Sequence, residues 1–391
     1  METLTQERVN SRPELEAKLL HHWALDPLAA SELSKGVSDV GVEHIDGLLH
    51  NIESDWDAIE KRDENREEIS RIISGESDKK LIVVGPCSLD NKTKDYDKLF
   101  DYIEELQAEH PDALIALRGN GAKPRTQGKF RGLYYSTDPQ DRQIQLDVYK
   151  DAFKRGIPIL TEITNTNEFA TLAPYLSAIW LGARDMGSTD KRSLCTATRI
   201  PVFIKNSQDG SPDTVESAIR SIGMNTEDNE GSGVDLGFLS ATYLVNGMPA
   251  NITVGEGNKS VGIIARGHKL ENDLGPRTRK RLVLKHIGEL CTLAAKLNTV
   301  VLLDGSHDVP PMLDIPKTDG DRFPKVVDIL LKAARQGRIV HAERLAGLVG
   351  EVGTTVGETD KNMIINVANK KRITTHLKRL KLLSQHLALL M

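Results

Sequence analysis

Apolar positions along this chain follow two different periods. Up to about residue 78 they recur at helical spacing, in "RPELEAKLLHHWAL" and "VEHIDGLLHNIESDWDAIEKRDENREEISRII", which predicts helices without concentrated chemistry. Beyond that point short apolar runs alternate with amphipathic stretches. The runs are "LIVVG" (81 to 85), "ALIALRG" (113 to 119), "PILTEIT" (158 to 164), "AIWLGAR" (178 to 184), "PVFIKN" (201 to 206), "VGIIARG" (261 to 267), "TVVLLDGSH" (299 to 307) and "RIVHAERL" (338 to 345). Near-continuous apolar runs are what parallel strands require when both faces of their sheet are covered. Between them "KDYDKLFDYIEELQAEH", "RQIQLDVYKDAFKRG", "SPDTVESAIRSIG", "RTRKRLVLKHIGELCTLAAKLN" and "FPKVVDILLKAARQG" read as helices, several closing on Gly or Asn.

Eight such units predict a closed (β/α)8 TIM barrel rather than an open doubly wound sheet, and neither G-x-G-x-x-G nor G-x-x-x-x-G-K-[ST] occurs. The expected organisation is an N-terminal helical extension over 1–78 and a catalytic barrel over 79–391. "GFLSATYLV" and "ANITVGEG" around "NGMP" predict a β-hairpin inserted between strands 5 and 6, within 233–258. The amphipathic end of the chain, 370–391, predicts a C-terminal docking helix.

Composition narrows the function classes. Lys and Arg total 51 against 56 acidic residues, a net charge of -5, so the global balance calls for neither nucleic acid nor an anionic membrane. The basic run "RTRKR" (277 to 281) reads as a solvated helix face. Three widely spaced cysteines, Cys87, Cys195 and Cys291, suit a reducing compartment, and the expected location is the cytoplasm. The N-terminus lacks the apolar core of a signal peptide, and no apolar run approaches the ~18 residues of a membrane span.

Chemistry in such barrels sits at the C-terminal ends of the strands. Strand by strand the predicted ends carry Cys87, Arg118, Glu162, Arg184, Lys205, Arg266, Asp304 with His307, and Glu343. Cys87, His307 and Glu343 together form a mixed S, N and O donor set, suited to Mn, Fe, Co or Zn rather than Mg or Ca. Singly each has a plainer reading: a buried small hydrophobe, a hydrogen-bonded turn residue, an ion-pair partner. Arg118, Lys123, Arg125, Arg184, Lys205 and Arg266 make a cationic ring that calls for anionic guests, or else for a salt-bridge network with Glu162, Asp185 and Asp304.

The motifs "GPCS", "R-x(4)-KPRT", "GAR", "FIKN", "FLS-x-T", the run reaching Arg266 and "D-x-SH", with a final strand assigned Glu343, occur in an order that resembles type I 3-deoxy-D-arabino-heptulosonate 7-phosphate (DAHP) synthases over roughly residues 65 to 365. The resemblance implies condensation of phosphoenolpyruvate with erythrose 4-phosphate, releasing phosphate, as the first step of the shikimate route to aromatic amino acids. It implies a divalent metal held by Cys87, His307 and Glu343, with Asp360 of the Thr359-Asp360 pair as fourth ligand, after a shorter connection than the family's. It implies a phosphoenolpyruvate site of Arg118, Lys123, Ala183, Arg184, Lys205 and Arg266, and an aldose-phosphate site of Lys123, Pro124, Arg125 and Thr126. Lys123, touching both substrates, is the expected proton donor, with Cys87 and His307 acting through the metal. A homo-oligomer, dimer or tetramer, is implied as well.

Departures cluster near the aldehyde side: Asp308-Val309 after "D-x-SH", Asp185-Met186 after "GAR", Asn165 in the third strand's extension, His268, and "GNGA" before "KPRT". They leave the phosphoenolpyruvate cations in place. A paralogue using another aldose phosphate, or a non-catalytic anion-binding regulator, is therefore kept beside the main reading, as is a Schiff-base aldolase with Lys205 as nucleophile.

Overall fold

Apolar residues on both faces of each strand force the sheet to find cover on both sides, and here it closes on itself. This computed structural model describes residues 2–50, 52–89, 96–122, 132–136, 138–164, 166–207, 211–223, 233–235, 251–267, 275–305, 313, 315 and 322–351. Eight parallel strands form a closed barrel: β1 (Lys80–Gly85), β2 (Ala113–Arg118), β3 (Ile159–Ile163), β4 (Ala178–Leu181), β5 (Val202–Lys205), β8 (Val261–Ala265), β9 (Val301–Asp304) and β10 (Leu345–Glu351), which returns to β1. Between β5 and β8, β6 (Gly233–Asp235) and β7 (Asn251–Thr253) pair antiparallel, inside the segment read as an inserted hairpin. The predicted C-terminal helix lies outside the described residues.

The helices α1 (Glu2–His22), α2 (Pro27–Gly36), α3 (Asp39–Leu49) and α4 (Trp56–Ser74) precede the barrel. The crossovers carry α5 (Asp97–Glu109), α6 (Pro139–Lys154), α7 (Thr166–Leu172), α8 (Thr189–Ala197), α9 (Pro212–Gly223), α10 (Pro276–Lys296) and α11 (Arg322–Arg335). None of the described helices is long and apolar enough to cross a membrane.

Alternation along each strand sorts the core into two layers. Leu81, Val83, Leu114, Ala116, Leu160, Trp180, Phe203, Ile264, Leu302 and Val349 fill the barrel interior. Ile69, Ile72 and Ile73, from the last turns of α4, belong to the same cluster and plug the N-terminal mouth. Gly262 makes room inside: a Cβ there would lie 2.5 Å from Phe203. Ile82, Val84, Ile115, Leu117, Ile179, Leu181, Ile204 and Leu303 face the helices instead.

Two arginines of α4 latch the N-terminal helices to the barrel. Arg62, 2% exposed, donates Nη1 to Pro174 O over 2.7 Å and Nε to Asp63 Oδ1 over 2.9 Å. Arg66 donates Nε to Leu176 O and Nη2 to Ala173 O, both at 2.8 Å, and reaches His21 O and His22 O at 3.2 Å. The acceptors at 173 to 176 belong to the connection that enters β4.

One strand differs from expectation. The apolar run "RIVHAERL" is not the eighth strand: it holds His341 at φ 53° and a 3-10 turn over Ala342–Arg344, and β10 begins at Leu345. The true strand, "LAGLVGE", carries two glycines, and Gly347 is required there. A Cβ at Gly347 would collide with the carbonyl oxygen of Leu81 on β1, beside an irregularity in the β10–β9 register.

Candidate active site

Cys87 follows the Gly85-Pro86 turn that ends β1, is 5% exposed and is not part of a disulfide. Cys195 on α8 and Cys291 on α10 are buried and outside disulfides too, and burial pushes both thiols well above the ordinary range. Of the three, Cys87 alone stands at the C-terminal rim of the strands.

Arg118 ends β2, 1% exposed, and donates Nη1 to Pro86 O over 3.0 Å, which ties it to the turn carrying Cys87. Its guanidinium carbon lies 6.0 Å from the Trp180 ring centroid, at the limit of a cation–π contact. Gly85 permits this approach, since a Cβ there would lie 2.6 Å from Arg118 O.

Lys205 ends β5 and Asp304 ends β9. Their side chains meet at 2.5 Å (Nζ to Oδ2) with 6% and 0% exposure, a desolvated pair reaching past β8 across the mouth. A buried ammonium needs such a partner, because the cost of removing it from water is several kcal/mol. Arg266 follows β8 half-buried. The turn 182–187 after β4 presents Ala183 half-buried and Arg184 exposed, with Asp185 paired to Lys191 at 2.6 Å. A Cβ at Gly182 would collide with Glu162 Oε1 and lie 3.4 Å from Asp185 Oδ2, so this glycine accommodates the carboxylate.

Thus Cys87, Arg118, Ala183, Arg184, Lys205 and Arg266 share one rim. Lys123, Pro124, Arg125, Thr126, His307 and Asp360 lie outside the described residues.

Residues 57–360 match the DAHP synthetase I family. The chain belongs to that family. It is 33% identical over 219 residues, 53% of this chain and 54% of the relative, to the tyrosine-inhibited phospho-2-dehydro-3-deoxyheptonate aldolase of Schizosaccharomyces pombe. The Tyr-sensitive phospho-2-dehydro-3-deoxyheptonate aldolase of Escherichia coli is 32% identical over 169 residues, 40% of this chain and 46% of that one. The matches thus span about half the length of these curated relatives. A solved phospho-2-dehydro-3-deoxyheptonate aldolase from Francisella tularensis superposes with a TM-score of 0.65 at 20% identity, over 88% of this chain and 96% of the other, a likeness of fold.

One residue expected at this rim is at the opposite end of the barrel. Glu343 precedes β10, and the parallel register sets Gly347 against Leu81 and Glu351 against Gly85. Glu343 therefore stands at the N-terminal rim, removed from Cys87 by more than the ~13 Å rise from Leu81 to Gly85. There it accepts from His341 Nδ1 at 2.9 Å, and its neighbour Arg344 reaches Asn298 Oδ1 at 3.3 Å, on the approach to β9. It cannot share an ion with Cys87. Among the described residues no three His, Cys, Asp or Glu side chains gather as a metal site. The carboxylate that does end the last strand is Glu351, in register with Gly85.

Two buried asparagines of the rim escaped the sequence reading. Asn120 Oδ1 accepts from Glu162 N at 3.0 Å, and its own carbonyl accepts from Leu89 N at 2.7 Å, joining the exits of β1, β2 and β3. Asn206 Oδ1 accepts from Arg266 N at 2.6 Å while its Nδ2 donates to Gly267 O at 3.0 Å, joining β5 to β8. The signal was in the sequence: each Asn follows a strand-terminal cation, in "RGN" and "IKN".

Proposed function

We propose that this chain condenses phosphoenolpyruvate with an aldose phosphate, erythrose 4-phosphate being the first candidate, to give DAHP and inorganic phosphate. The observation that carries this reading is the set of cations at the C-terminal rim, Arg118, Arg184, Lys205 and Arg266, two of them buried. Charges so placed suit guests with several negative charges.

In this reading the rim cations hold the carboxylate and phosphate of phosphoenolpyruvate and keep its enol face toward the aldehyde. C3 of phosphoenolpyruvate bonds to the aldehyde carbon, whose oxygen takes a proton; water adds at C2 and inorganic phosphate leaves. Lys123 delivers the proton, and Arg125 and Thr126 hold the aldose phosphate. Arg118 is restrained by Pro86 O and Lys205 by Asp304, so both are oriented before substrate arrives.

Cys87 is a buried thiol at the rim beside the register position of Glu351, and a thiol with a carboxylate and His307, which follows the end of β9 in the sequence, suits Mn, Fe, Co or Zn. Cys87, His307 and Glu351 would hold the ion, which when bound supplies Lewis-acid polarisation of the aldehyde carbonyl. A Schiff-base mechanism at Lys205 is disfavoured by the Asp304 pair, because an ammonium held by a carboxylate presents no lone pair to a carbonyl. Cysteines outside disulfides agree with a cytoplasmic setting.

The test is phosphate release from phosphoenolpyruvate with Mn(II) and a panel of aldose phosphates. The expected result is release that needs both substrates, stops with chelator and returns with added metal. Chelator-insensitive turnover with borohydride trapping at Lys205 would overturn it, and release with no aldose in the panel would leave only an anion-binding regulator.

A further inference from the structure

Apart from the rim cations, a buried amide and carboxylate stand against the stretch that leaves β2. Gln145 on α6 is 3% exposed and Glu168 on α7 is 4% exposed. Gln145 Nε2 donates to Glu168 Oε1 over 2.6 Å, and Thr164 Oγ1 donates to Glu168 Oε2 over 3.4 Å. A buried carboxylate costs several kcal/mol to desolvate, so it is an expensive way to fill a core. The amide it holds occupies the space over Gly121: a Cβ on that residue would collide with Gln145 Nε2 and Cδ.

Gly121 is also where the chain meets itself again. Its carbonyl accepts from Tyr134 N at 3.1 Å, and Gly132, at φ +93°, approaches so closely that a Cβ would strike Gly121 O. Two residues earlier Gly119 O accepts from Tyr149 Oη and, at 3.3 Å, from Thr161 Oγ1. Residues 119 to 122 are thus held by α6 and β3, and joined to 132 to 134 at a neck. Lys123 to Thr126 follow directly in the sequence.

We infer that Gln145 and Glu168 are positioning residues that fix the neck at Gly121, and that they thereby determine how tightly the aldose phosphate is held without touching it. This rests on the assignment of Lys123 to Thr126 to that substrate. Burial lifts Glu168 to about 7, opposed by the bonds from Gln145 and Thr164, raised by Glu162 on β3 and lowered by Lys191 on α8; Tyr134 and Tyr149 also face it. Above that pH the ionised group only accepts, which pins the Gln145 amide; below it one oxygen becomes a donor and the amide loses its fixed orientation.

The test compares Glu168→Gln, Gln145→Ala, Gly121→Ala and the Gly121→Ala/Gln145→Ala pair. The Michaelis constants for phosphoenolpyruvate and aldose phosphate are measured separately from pH 6 to 8, with amide hydrogen exchange at Tyr134 as a readout that needs no substrate. Glu168→Gln and Gln145→Ala are expected to raise the aldose-phosphate KM roughly tenfold, leaving that for phosphoenolpyruvate within about twofold, and Glu168→Gln to flatten its pH dependence. Gly121→Ala should be at least as harmful alone and add nothing once Gln145 is shortened, in KM and in Tyr134 exchange alike. Equal rises in both KM values, or a Gly121→Ala penalty undiminished beside Gln145→Ala, would overturn the inference. If the wild type turns over no aldose phosphate, the functional reading has failed, and the exchange data decide the brace alone: unchanged exchange at Tyr134 in all four variants overturns it.

Discussion

Among the described residues, buried arginine and lysine side chains occur in two places, the seam between α4 and the barrel and the C-terminal rim. On α4, Arg62 and Arg66 donate to the backbone carbonyls of Pro174, Leu176, Ala173, His21 and His22, with the Asp63 carboxylate beside them. At the C-terminal rim, Lys205 faces a full carboxylate, Asp304, and Arg118 reaches the Pro86 carbonyl beside Cys87. The carbonyls bound by Arg62 and Arg66 lie on segments far apart in the chain, so the α4 pair works as a latch between them. A Lys–Asp pair at an open mouth can be regrouped by an incoming anion, because its parts are charged on both sides. The same residue types therefore join chain segments in one region and, in the proposed function, meet substrate in the other, and their place in the fold distinguishes them.

That contrast breaks most sharply at Arg184. It is exposed at the rim, so Arg184→Met should lower kcat/KM by roughly 10²–10³-fold, about 3–4 kcal/mol of transition-state stabilisation, and move the unfolding free energy by no more than about 0.5 kcal/mol. Steady-state kinetics beside urea unfolding would check it; a large stability loss would place Arg184 with the latch. Arg66→Met should do the reverse. Leaving several buried carbonyls without a donor should cost about 3 kcal/mol in urea unfolding, with kcat/KM of the remaining folded enzyme little changed.

The smallest effect sharpens the latch alone. His22, 3% exposed, has its pKa lowered to about 3, first by burial and then by Arg62, His21 and Arg66. The folded protein keeps it neutral while the unfolded chain protonates it near 6.5, so its contribution is complete above that value and is lost as pH falls toward 3. The slope is at most ~1.4 kcal/mol per pH unit. His22→Gln should flatten stability against pH across this window; an unaltered profile would show that another group sets it.

How legible the site was differed strand by strand. Arg118, Lys205 and Asp304 end the strands on which their apolar runs put them, because six or so buried apolar residues have few alternatives to a parallel strand. The last strand misled for an equally physical reason. "RIVHAERL" has the more strand-like composition, but "LAGLVGE" fits where β1 comes so close that only a glycine at 347 is accommodated. Shifting the strand moved Glu343 to the opposite rim and brought Glu351 to the position in register with Gly85.

The sequence by itself determined the barrel and the cationic character of its rim, since apolar periodicity and strand-terminal residue types are local properties that burial on two faces makes unambiguous. Tertiary structure alone decided which glutamate ends the final strand, which asparagines pin the rim, and which arginines hold the α4 latch. Each of these depends on the approach of backbone from a distant segment, on a carbonyl at 81, 173 or 176 or an amide at 162 or 266, and no spacing along the chain encodes where such groups meet.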